Sequence, residues 1–356
     1  MSALTPAKLR VAVVGTGLGS TPHFQSLQDL ASEVEVGWIQ GSRAEEMAAR
    51  YGLASAQKAG DIQRICSDAT IAGVLVLTPP NTHLDVVQTL ALAGKHVLVE
   101  KPLEINLQKA IQVVEMCERT GVLLSVMLQH RMRPAALALA SLLARGDLGQ
   151  LVNANAFVRW WRPQSYYDEP GRGTLARDGG GVLLTQAIHT LDLLLSYSGY
   201  PDRVTAVAAT SAVHRMESED HATALLQWSG GAVGVVQAST AAYPGYPERI
   251  ELNGTLGAAT LQAGFLKASF IRGTSYEQGD DAGSGGGADP MAFDHAPHRA
   301  VLQDFVSAIR NGTAPSVSGR SALEVHRLID AMMVSSRKAA RALPLAQPSS
   351  GAFNVS

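Results

Sequence analysis

The chain has 356 residues and carries 29 Lys and Arg against 31 Asp and Glu, so its formal net charge is -2. A chain of this length usually forms two domains. The balanced charge argues against nucleic acid or an anionic membrane as the main partner, because both select a basic face. Charged residues make up only 17% of the chain, so we expect a folded protein that hides more surface than a monomer would.

The cysteine content, the apolar stretches and the N-terminal segment indicate the cellular compartment of the protein. Two cysteines, Cys66 and Cys117, are too few for a disulfide framework, and we expect free thiols in a reducing compartment. No stretch reaches the roughly 18 apolar residues of a membrane span, and the N-terminus has no apolar signal core. The sequence therefore predicts a cytoplasmic protein with no membrane partner.

Strands and helices alternate over the first third of the chain. Two of the strands are continuous apolar runs, which is typical of strands buried on both faces. In chain order the predicted strands cover 9–14, 34–39, 71–77, 97–99 and 122–127. The helices between them end near residues 31, 51, 93 and 118. Repeated units of this length predict a doubly wound parallel sheet of the Rossmann type.

The pattern changes after about residue 149, where strands follow one another at short spacing. Predicted strands cover 151–160, 204–210, 222–228, 232–239, 249–252 and 266–271, with helices at 182–197, 298–311 and 320–339. We therefore expect an α/β protein with a second, α+β domain built on an open, mostly antiparallel sheet. The predicted divisions are 1–128 for dinucleotide binding, 129–345 for substrate binding and oligomerisation, and 346–356 as a tail.

A glycine-rich turn follows the first strand and opens a helix. It has the order of a G-x-G-x-x-G/A dinucleotide motif, with Gly15 and Gly17 as its first two glycines, Leu18 next, and Ser20 at the last position. Gly15 allows the tight turn, and Gly17 lets a pyrophosphate approach the helix N-terminus. The strand before and the helix after favour a dinucleotide site over a purely structural turn.

The end of the second strand bears on the choice between NAD and NADP. An NAD site usually has a carboxylate about 20 residues after the turn, and no carboxylate stands there. Ser42 and Arg43 occupy the place, and both can hold a 2′-phosphate. The sequence therefore favours NADP slightly over NAD, with a solvent-exposed charge at Arg43 as the alternative.

Two further strand ends carry unusual polar and proline-rich segments. One strand ends in Thr78, Pro79, Pro80, Asn81, Thr82 and His83, and the next ends in Glu100, Lys101 and Pro102. Ligands of open α/β sheets lie beyond the carboxyl ends of the strands. Six of these residues are therefore candidate cofactor contacts: Thr78, Pro79, Asn81, His83, Glu100 and Lys101. The bond before Pro102 is a candidate cis peptide.

With these motifs the chain resembles the Gfo/Idh/MocA oxidoreductases over nearly its whole length. The resemblance also includes the following residues: His23, Arg131-x-x-Pro134, Gly179-Gly180-Gly181, His189-x-x-Asp192 and Asp304-Phe305. It implies a Rossmann domain followed by a domain with an open sheet. It also implies NAD or NADP as cofactor, hydride transfer to or from a sugar, inositol or similar polyol, and catalytic roles for Lys101 and His189.

The residues around His189 support a catalytic role independently. Thr185, His189 and Asp192 are spaced to share one helix face, after a glycine run that lets a ligand come close. Histidine is a suitable base for a hydroxyl proton, and Lys101 would stabilise the alkoxide-like oxygen. The two roles are reversed if Lys101 is desolvated. The alternative is a core histidine that is hydrogen-bonded to Asp192.

One departure from the family narrows the substrate. Many sugar and inositol dehydrogenases of the family have Asp four residues before the histidine, where this chain has Thr185, followed by Gln186. Such a pair resembles the branch that acts on nucleotide-linked or other sugar derivatives, which puts simple inositol oxidation in doubt. Thr185 and Gln186 are candidate substrate contacts.

Other candidate substrate contacts lie in two nearby segments. Trp161 and Tyr166 could stack on a sugar face, and Arg162 could fork a carboxylate or phosphate. Arg131 and Arg133 are further candidates, although we prefer a structural or cofactor-near role for Arg131. The alternative is that the aromatic residues pack the domain interface.

The predicted function is NAD(P)-dependent dehydrogenation or reduction at a secondary alcohol or ketone of a sugar, sugar acid or nucleotide sugar. The alternatives are NAD-dependent glycoside hydrolysis by transient oxidation and elimination, and a non-catalytic NADP-binding sensor. Asp294, His295 and His298 make only a weak metal motif, so no metal is expected. The second sheet has apolar residues on both faces, which predicts a homodimer or homotetramer formed through it.

Overall fold

The computed structural model describes residues 7–279 and 294–338. The predicted tail, 346–356, lies outside the described residues. No helix within the described part of the chain is long and apolar enough to cross a membrane.

The first sheet is six-stranded and parallel, which confirms the predicted Rossmann domain. Its strands are β1 (Leu9–Val14), β2 (Val34–Gln40), β3 (Gln57–Lys58), β4 (Gly73–Val76), β5 (His96–Val99) and β6 (Leu124–Val126). They lie in the order β3-β2-β1-β4-β5-β6. The helices are α1 (Thr21–Asp29), α2 (Ala44–Arg50), α3 (Ile62–Ser67), α4 (His83–Leu92) and α5 (Leu107–Thr120). The strand order reverses between β1 and β4, which is where such sheets open a ligand crevice.

The second sheet has eight strands, and all neighbours except β7 and β10 pair antiparallel. The strands are β7 (Leu151–Arg159), β8 (Arg203–Ala209), β9 (His221–Gln227), β10 (Val233–Ser239), β11 (Arg249–Gly254), β12 (Gly257–Gln262), β13 (Phe265–Phe270) and β14 (Ser275–Gln278). Their order is β14-β13-β12-β11-β7-β10-β9-β8, so the sheet is open, as predicted.

Six helices lie in the described residues of the second half of the chain, and two of them, α10 and α11, also contact the first sheet. They are α6 (Pro134–Ala144), α7 (Gln164–Tyr167), α8 (Val182–Thr185), α9 (Ile188–Ser198), α10 (Ala296–Asn311) and α11 (Gly319–Lys338). In α10, Phe305 and Ile309 lie 3.1 and 3.0 Å from the point where a Cβ on Gly73 would stand. Spatially, α10 therefore completes the core of the dinucleotide domain.

The two faces of the second sheet differ sharply in exposure. Ala206 on the inner face is 2% exposed, because α11 packs against β8. On the outer face Val207 and Leu225 are each 58% exposed and Val233 is 50% exposed. Nothing in the described part of the chain covers this apolar surface.

The single helix predicted over 182–197 is wrong, because the structure has two helices. The break falls at Gln186 and Ala187, between α8 and α9. The Ala187 N–H donates to the Val182 carbonyl five residues back, at 2.8 Å. This is a widened turn of the π type, a distortion that often marks functional sites.

Candidate functional site

One cavity of about 1010 Å³ lies between the two sheets. On one side it is lined by the glycine-rich turn and by the residues that follow β4 and β5. On the other side it is lined by residues after β7 and by the break between α8 and α9. The cavity therefore joins the predicted cofactor half of the site to the predicted substrate half.

The glycine-rich turn fits a dinucleotide. Gly15 has a φ of +109°, and a Cβ on it would lie 2.6 Å from the Leu77 carbonyl, so no other residue fits there. A Cβ on Gly17 would meet nothing within 4 Å, and Gly17 faces the cavity. Leu18 begins the 3-10 turn that leads into α1. The open backbone at a helix N-terminus is suited to a pyrophosphate.

The residues predicted at the ribose end lie beside the cavity without lining it. The Arg43 N–H donates to Thr16 Oγ1 at 3.1 Å, and Thr16 does line the cavity. The Arg43 guanidinium makes two bonds to the Glu46 carboxylate, at 2.7 and 2.9 Å. Ser42 is also absent from the cavity wall. A 2′-phosphate would have to share Arg43 with Glu46.

Four of the six predicted strand-end contacts line the cavity, namely Thr78, Pro79, Glu100 and Lys101. Asn81 and His83 do not. His83 is fully buried, and its ring nitrogens lie 2.9 Å from the Thr78 carbonyl and 3.1 Å from the Pro102 carbonyl. It ties the two strand-end segments together behind the cavity. The Lys101–Pro102 bond is cis, as considered from the sequence.

Lys101 is held by the helix break. Its Nζ donates to the Thr185 carbonyl at 2.9 Å, and the Ala187 N–H that follows is already bonded to Val182. Burial lowers the pKa of Lys101, and the neighbouring Glu100 carboxylate opposes that shift. The ammonium group is therefore fixed in the cavity by a backbone acceptor that the widened turn presents.

His189 lines the same cavity and lies flat against a second histidine. Its ring stacks on His130 with centroids 4.4 Å apart and planes 22° apart. Its Nδ1 is buried and has no hydrogen-bond partner among the described residues. Burial and the charge of Lys101 hold the pKa of His189 well below its usual value. A neutral imidazole can accept a proton at one of its ring nitrogens.

The alternative of a core histidine bonded to Asp192 is wrong. Asp192 forms a two-bond ion pair with Arg131, with oxygen–nitrogen distances of 2.5 and 2.7 Å. Arg131, predicted as a substrate contact, does not line the cavity. The pair ties the turn that carries His130 to helix α9, which carries His189. The contacts of Arg131 are therefore those of a structural residue that links these two segments.

The glycine run before α8 is closely packed against other backbone segments. A Cβ on Gly179 would lie 2.1 Å from the Ile105 carbonyl oxygen, and one on Gly181 would lie 1.7 Å from that of Glu219. Both glycines are therefore required by backbone packing. Gly180 and Gly181 also line the cavity.

Four of the six candidate substrate contacts line the far half of the cavity, namely Arg162, Tyr166, Thr185 and Gln186. The Gln186 amide donates to the Tyr166 hydroxyl at 2.9 Å. Trp161 does not line the cavity; its ring packs edge-on against Tyr243, with centroids 5.4 Å apart. Its partner Tyr243 belongs to the same domain, so this contact is not the domain-interface packing considered from the sequence.

The sequence missed several lining residues, and one segment shows why. Gln129 and His130 were not singled out, yet they line the cavity beside Arg133, which pairs with Glu248 at 2.8 Å. The family resemblance drew attention to Arg131 in this segment. The Arg131 side chain, however, pairs with Asp192 and does not line the cavity. Adjacent residues in an irregular turn face different directions, which no periodic pattern reveals.

His298 belongs to a different cluster from the one the sequence suggested. It lies with His23 and Glu100, and their ligand atoms are all within 4.8 Å of one another. His23 and Glu100 are already bonded at 2.6 Å, closer than the roughly 3.3 Å between donors of one tetrahedral zinc ion. Although burial opposes it, the bond from His23 lowers the pKa of Glu100 to about 2. The predicted absence of a metal stays a prediction.

A buried histidine behind the Lys101 segment predicts acid sensitivity. The Leu103 N–H donates to Nε2 of His326 at 3.1 Å, which requires a neutral ring, and burial lowers its pKa to about 4. In the unfolded chain this pKa is about 6.5. The neutral ring makes its full contribution to stability when the pH is above the pKa of the unfolded chain. This contribution is lost as the pH falls toward the pKa of about 4 that His326 has in the folded protein. The free energy of unfolding should drop by about 3 kcal/mol on this account.

Urea unfolding at several pH values between neutral and 4 tests this expectation. His326→Gln keeps an acceptor for the Leu103 N–H but cannot titrate, so its stability should fall less steeply with acid. Equal slopes in the variant and the parent protein would assign the acid loss to other groups.

The comparisons with known proteins agree with this architecture. A family profile described as "Oxidoreductase family, NAD-binding Rossmann fold" matches residues 9–128. A second profile, the GFO/IDH/MocA C-terminal domain, matches residues 136–260. Together the two profiles cover well over half of the chain.

Individual relatives extend over nearly the whole length. The chain is 27% identical to myo-inositol 2-dehydrogenase of Thermotoga maritima, over 87% of this chain and 91% of that one. It is 26% identical to D-apiose dehydrogenase of Paraburkholderia graminis, over 94% and 89%. A solved structure of WlbA dehydrogenase from Bordetella pertussis, in complex with NADH and UDP-GlcNAcA, has 26% identity, a TM-score of 0.79 and coverage of 96% and 100%. The chain belongs to the Gfo/Idh/MocA family of oxidoreductases with an NAD-binding Rossmann fold.

Proposed function

We propose that the protein transfers a hydride between NAD(P) and a secondary alcohol or ketone of a sugar-like substrate. The observation that carries this proposal is the meeting of Lys101 and His189 in one cavity, at the junction of its dinucleotide half and its polar half. When bound, the nicotinamide supplies the two-electron chemistry. Gly15, Gly17 and Glu100 are suited to hold the dinucleotide.

The chain's own residues manage the proton. His189 is disposed to remain neutral, because protonation would place a second cation beside Lys101 in a buried site. A neutral imidazole accepts the hydroxyl proton, while the Lys101 ammonium donates a hydrogen bond to the same oxygen as charge develops on it. The reverse assignment, with neutral Lys101 as the base, uses the same two groups.

The polar half of the cavity favours a sugar with an anionic group. Two guanidinium groups flank the Tyr166 ring, with Arg172 4.0 Å and Arg162 5.7 Å from its centroid. Guanidinium groups bind carboxylates and phosphates in a fork. We propose a sugar acid or nucleotide sugar as the substrate class, which the UDP-GlcNAcA complex of the WlbA relative supports. We retain the slight preference for NADP, with Arg43 as its contact.

A substrate screen of the full chain tests this function. Myo-inositol, D-apiose, glucuronate and UDP-GlcNAcA are each offered with NAD⁺ and with NADP⁺, and reduced cofactor is followed at 340 nm. We expect turnover with an acidic substrate to exceed turnover with inositol, and Arg43→Ala to raise KM for NADP⁺ more than for NAD⁺.

Three outcomes of this screen would contradict the proposed function. Preference for inositol would remove the anionic substrate class. Release of p-nitrophenol from a nitrophenyl glycoside without net cofactor reduction would indicate hydrolysis through transient oxidation. Tight cofactor binding with no turnover on any substrate would indicate a sensor.

We also propose that the outer face of the second sheet joins two or more copies of the chain. The exposed apolar side chains of Val207, Leu225 and Val233 support this proposal. Identical chains present the same apolar face and can bury it against each other in a symmetric oligomer. Light scattering should give a dimer or tetramer for the parent protein and a smaller species for Leu225→Asp. A monomeric parent protein at micromolar concentration would contradict it.

A further inference from the structure

A buried histidine lies beneath the segment that carries Arg162. The side chain of His214 is fully buried, as is that of Asp220. Nδ1 of His214 is 2.7 Å from Asp220 Oδ2, and Nε2 is 2.8 Å from the Arg162 carbonyl oxygen. Both ring nitrogens therefore face oxygen atoms, and a carbonyl oxygen can only accept a hydrogen bond.

The partners of Asp220 fix it as a charged acceptor. The Ser211 N–H donates to Oδ1 at 2.8 Å, and the Ser211 hydroxyl donates to Oδ2 at 2.6 Å. Burial raises the pKa of Asp220, but the bonds from Ser211 and His214 outweigh it and leave the pKa below its usual value. An ionised Asp220 accepts from Nδ1, while the Arg162 carbonyl accepts from Nε2. A neutral imidazole has only one N–H, so a neutral His214 would leave one of these two acceptor oxygens without a hydrogen bond from the ring.

The main-chain N–H and carbonyl of Arg162 both have hydrogen-bond partners, and His214 is one of them. The Arg162 N–H donates to the Thr240 carbonyl at 2.8 Å, and His214 takes the Arg162 carbonyl. The Tyr167 ring lies 4.8 Å from the His214 ring, and its hydroxyl bonds Thr240 Oγ1 at 2.7 Å. The titratable and charged groups around His214 are thus Asp220, Tyr167 and Arg162 itself.

The fixed backbone determines where the Arg162 guanidinium stands. That group reaches the cavity, where its Nη2 lies 3.4 Å from Gln186 Oε1 and its Cζ lies 5.2 Å from the Trp160 ring centre. Arg162 is only 2% exposed, so it cannot search for a ligand as a surface arginine does. The Arg162 guanidinium can therefore bind a substrate group well only if it is already in the correct position before the substrate arrives.

We propose that His214 is a buried imidazolium that, with Asp220, positions Arg162 to receive an anionic group of the substrate. His214 touches no reacting atom and is a positioning residue. The expected effect on kinetics rests on the proposed oxidoreductase function. The proposed charge of His214 does not depend on that function. Two arms of one experiment separate these parts.

The first arm measures the protonation of His214 without any substrate. The full chain is labelled with ¹⁵N at histidine, and the ring nitrogen signals are recorded near pH 8, above the usual histidine pKa. We expect a pair of ring nitrogen signals in the imidazolium range that disappears in His214→Gln. A neutral tautomer at His214 would overturn the proposal, whatever the enzyme's activity.

The second arm measures KM and kcat with UDP-GlcNAcA as the probe, for Arg162→Gln, His214→Gln and the double variant. We expect His214→Gln to raise KM about tenfold or more with little change in kcat, since a misplaced charged donor mainly weakens binding. The double variant should be no worse than Arg162→Gln alone, because both changes remove one interaction. Additive losses would mean that His214 does not act through Arg162.

Two further variants separate positioning from general loss of structure. Asp220→Asn can donate to Nδ1 of a neutral ring, which keeps the Nε2–H bond to Arg162, so it should retain most of the affinity. Tyr197→Phe removes another interior hydrogen bond, to Ala136, outside the cavity, and should leave KM unchanged. Equal damage from Tyr197→Phe and His214→Gln would overturn the positioning role. If UDP-GlcNAcA is no substrate, the substrate class fails while the first arm still decides the charge of His214.

Discussion

Replacing Lys101 by Met is expected to lower kcat about 10³-fold while the affinity for the dinucleotide stays nearly unchanged. Methionine keeps much of the length of the side chain but removes the cation that stabilises the oxygen in the transition state. The loss of that charge also removes one cause of the low pKa of His189. The remaining activity should therefore titrate at higher pH. Steady-state kinetics over a pH range, with NADH binding followed by fluorescence, measures both effects.

Lys95 offers a matched control for this change. It is also a buried lysine, 5% exposed, and its Nζ donates to the carbonyls of Asp68 and Ile71, outside the cavity. Lys95→Met should lower stability but leave kcat close to that of the parent protein. Retained turnover in Lys101→Met, or equal loss in both variants, would show that Lys101 is not catalytic.

Replacing Arg131 by Met is expected to lower the free energy of unfolding by about 3–5 kcal/mol. The change leaves the carboxylate of Asp192, 2% exposed, without its two-bond partner. An isolated buried charge is costly, whereas the pair as a whole contributes little net stability. The double variant Arg131→Met/Asp192→Leu should therefore recover much of the loss. Urea unfolding curves of the three proteins give the comparison.

An exposed ion pair serves as the control. Arg145 pairs with Asp147 at 2.7 Å, but its side chain is 55% exposed, so Arg145→Met should cost less than about 1 kcal/mol. A loss from Arg131→Met no larger than this would mean that Asp192 reaches water or a proton in the folded protein. Because the pair aligns His130 with His189, we also expect lower kcat in Arg131→Met.

Much of the fold and part of the site could be predicted from residue patterns. The apolar run of β1 predicted a strand buried on both faces, and Gly15 predicted a turn that only glycine can make. Lys101 and Glu100 were placed in the crevice because the carboxyl ends of parallel strands meet at one edge of a sheet. Each of these inferences depends on local geometry, which neighbouring residues specify.

The errors concern side chains whose direction depends on distant partners. Asp192 was expected to face His189 from its helical spacing, but Arg131, 61 residues away, takes its carboxylate. The run 179–181 was expected to let a ligand come close, but the need for glycine at 179 and 181 also arises from the backbone of Ile105 and Glu219. The break at Gln186 was also missed, because the segment has the apolar period of one continuous helix.

The sequence by itself determined the two-sheet architecture, the dinucleotide turn and the two residues proposed for catalysis. The architecture and the turn follow from periodicity and from motifs whose geometry is nearly independent of the rest of the chain, whereas the catalytic roles are what the resemblance to the Gfo/Idh/MocA family implies. Only the tertiary structure decided which neighbours of those residues face the cavity, such as His130 rather than Arg131, and which buried groups, such as His214, support them. Those choices depend on contacts between segments far apart in sequence, where the energy of a single ion pair or close backbone approach outweighs any local pattern.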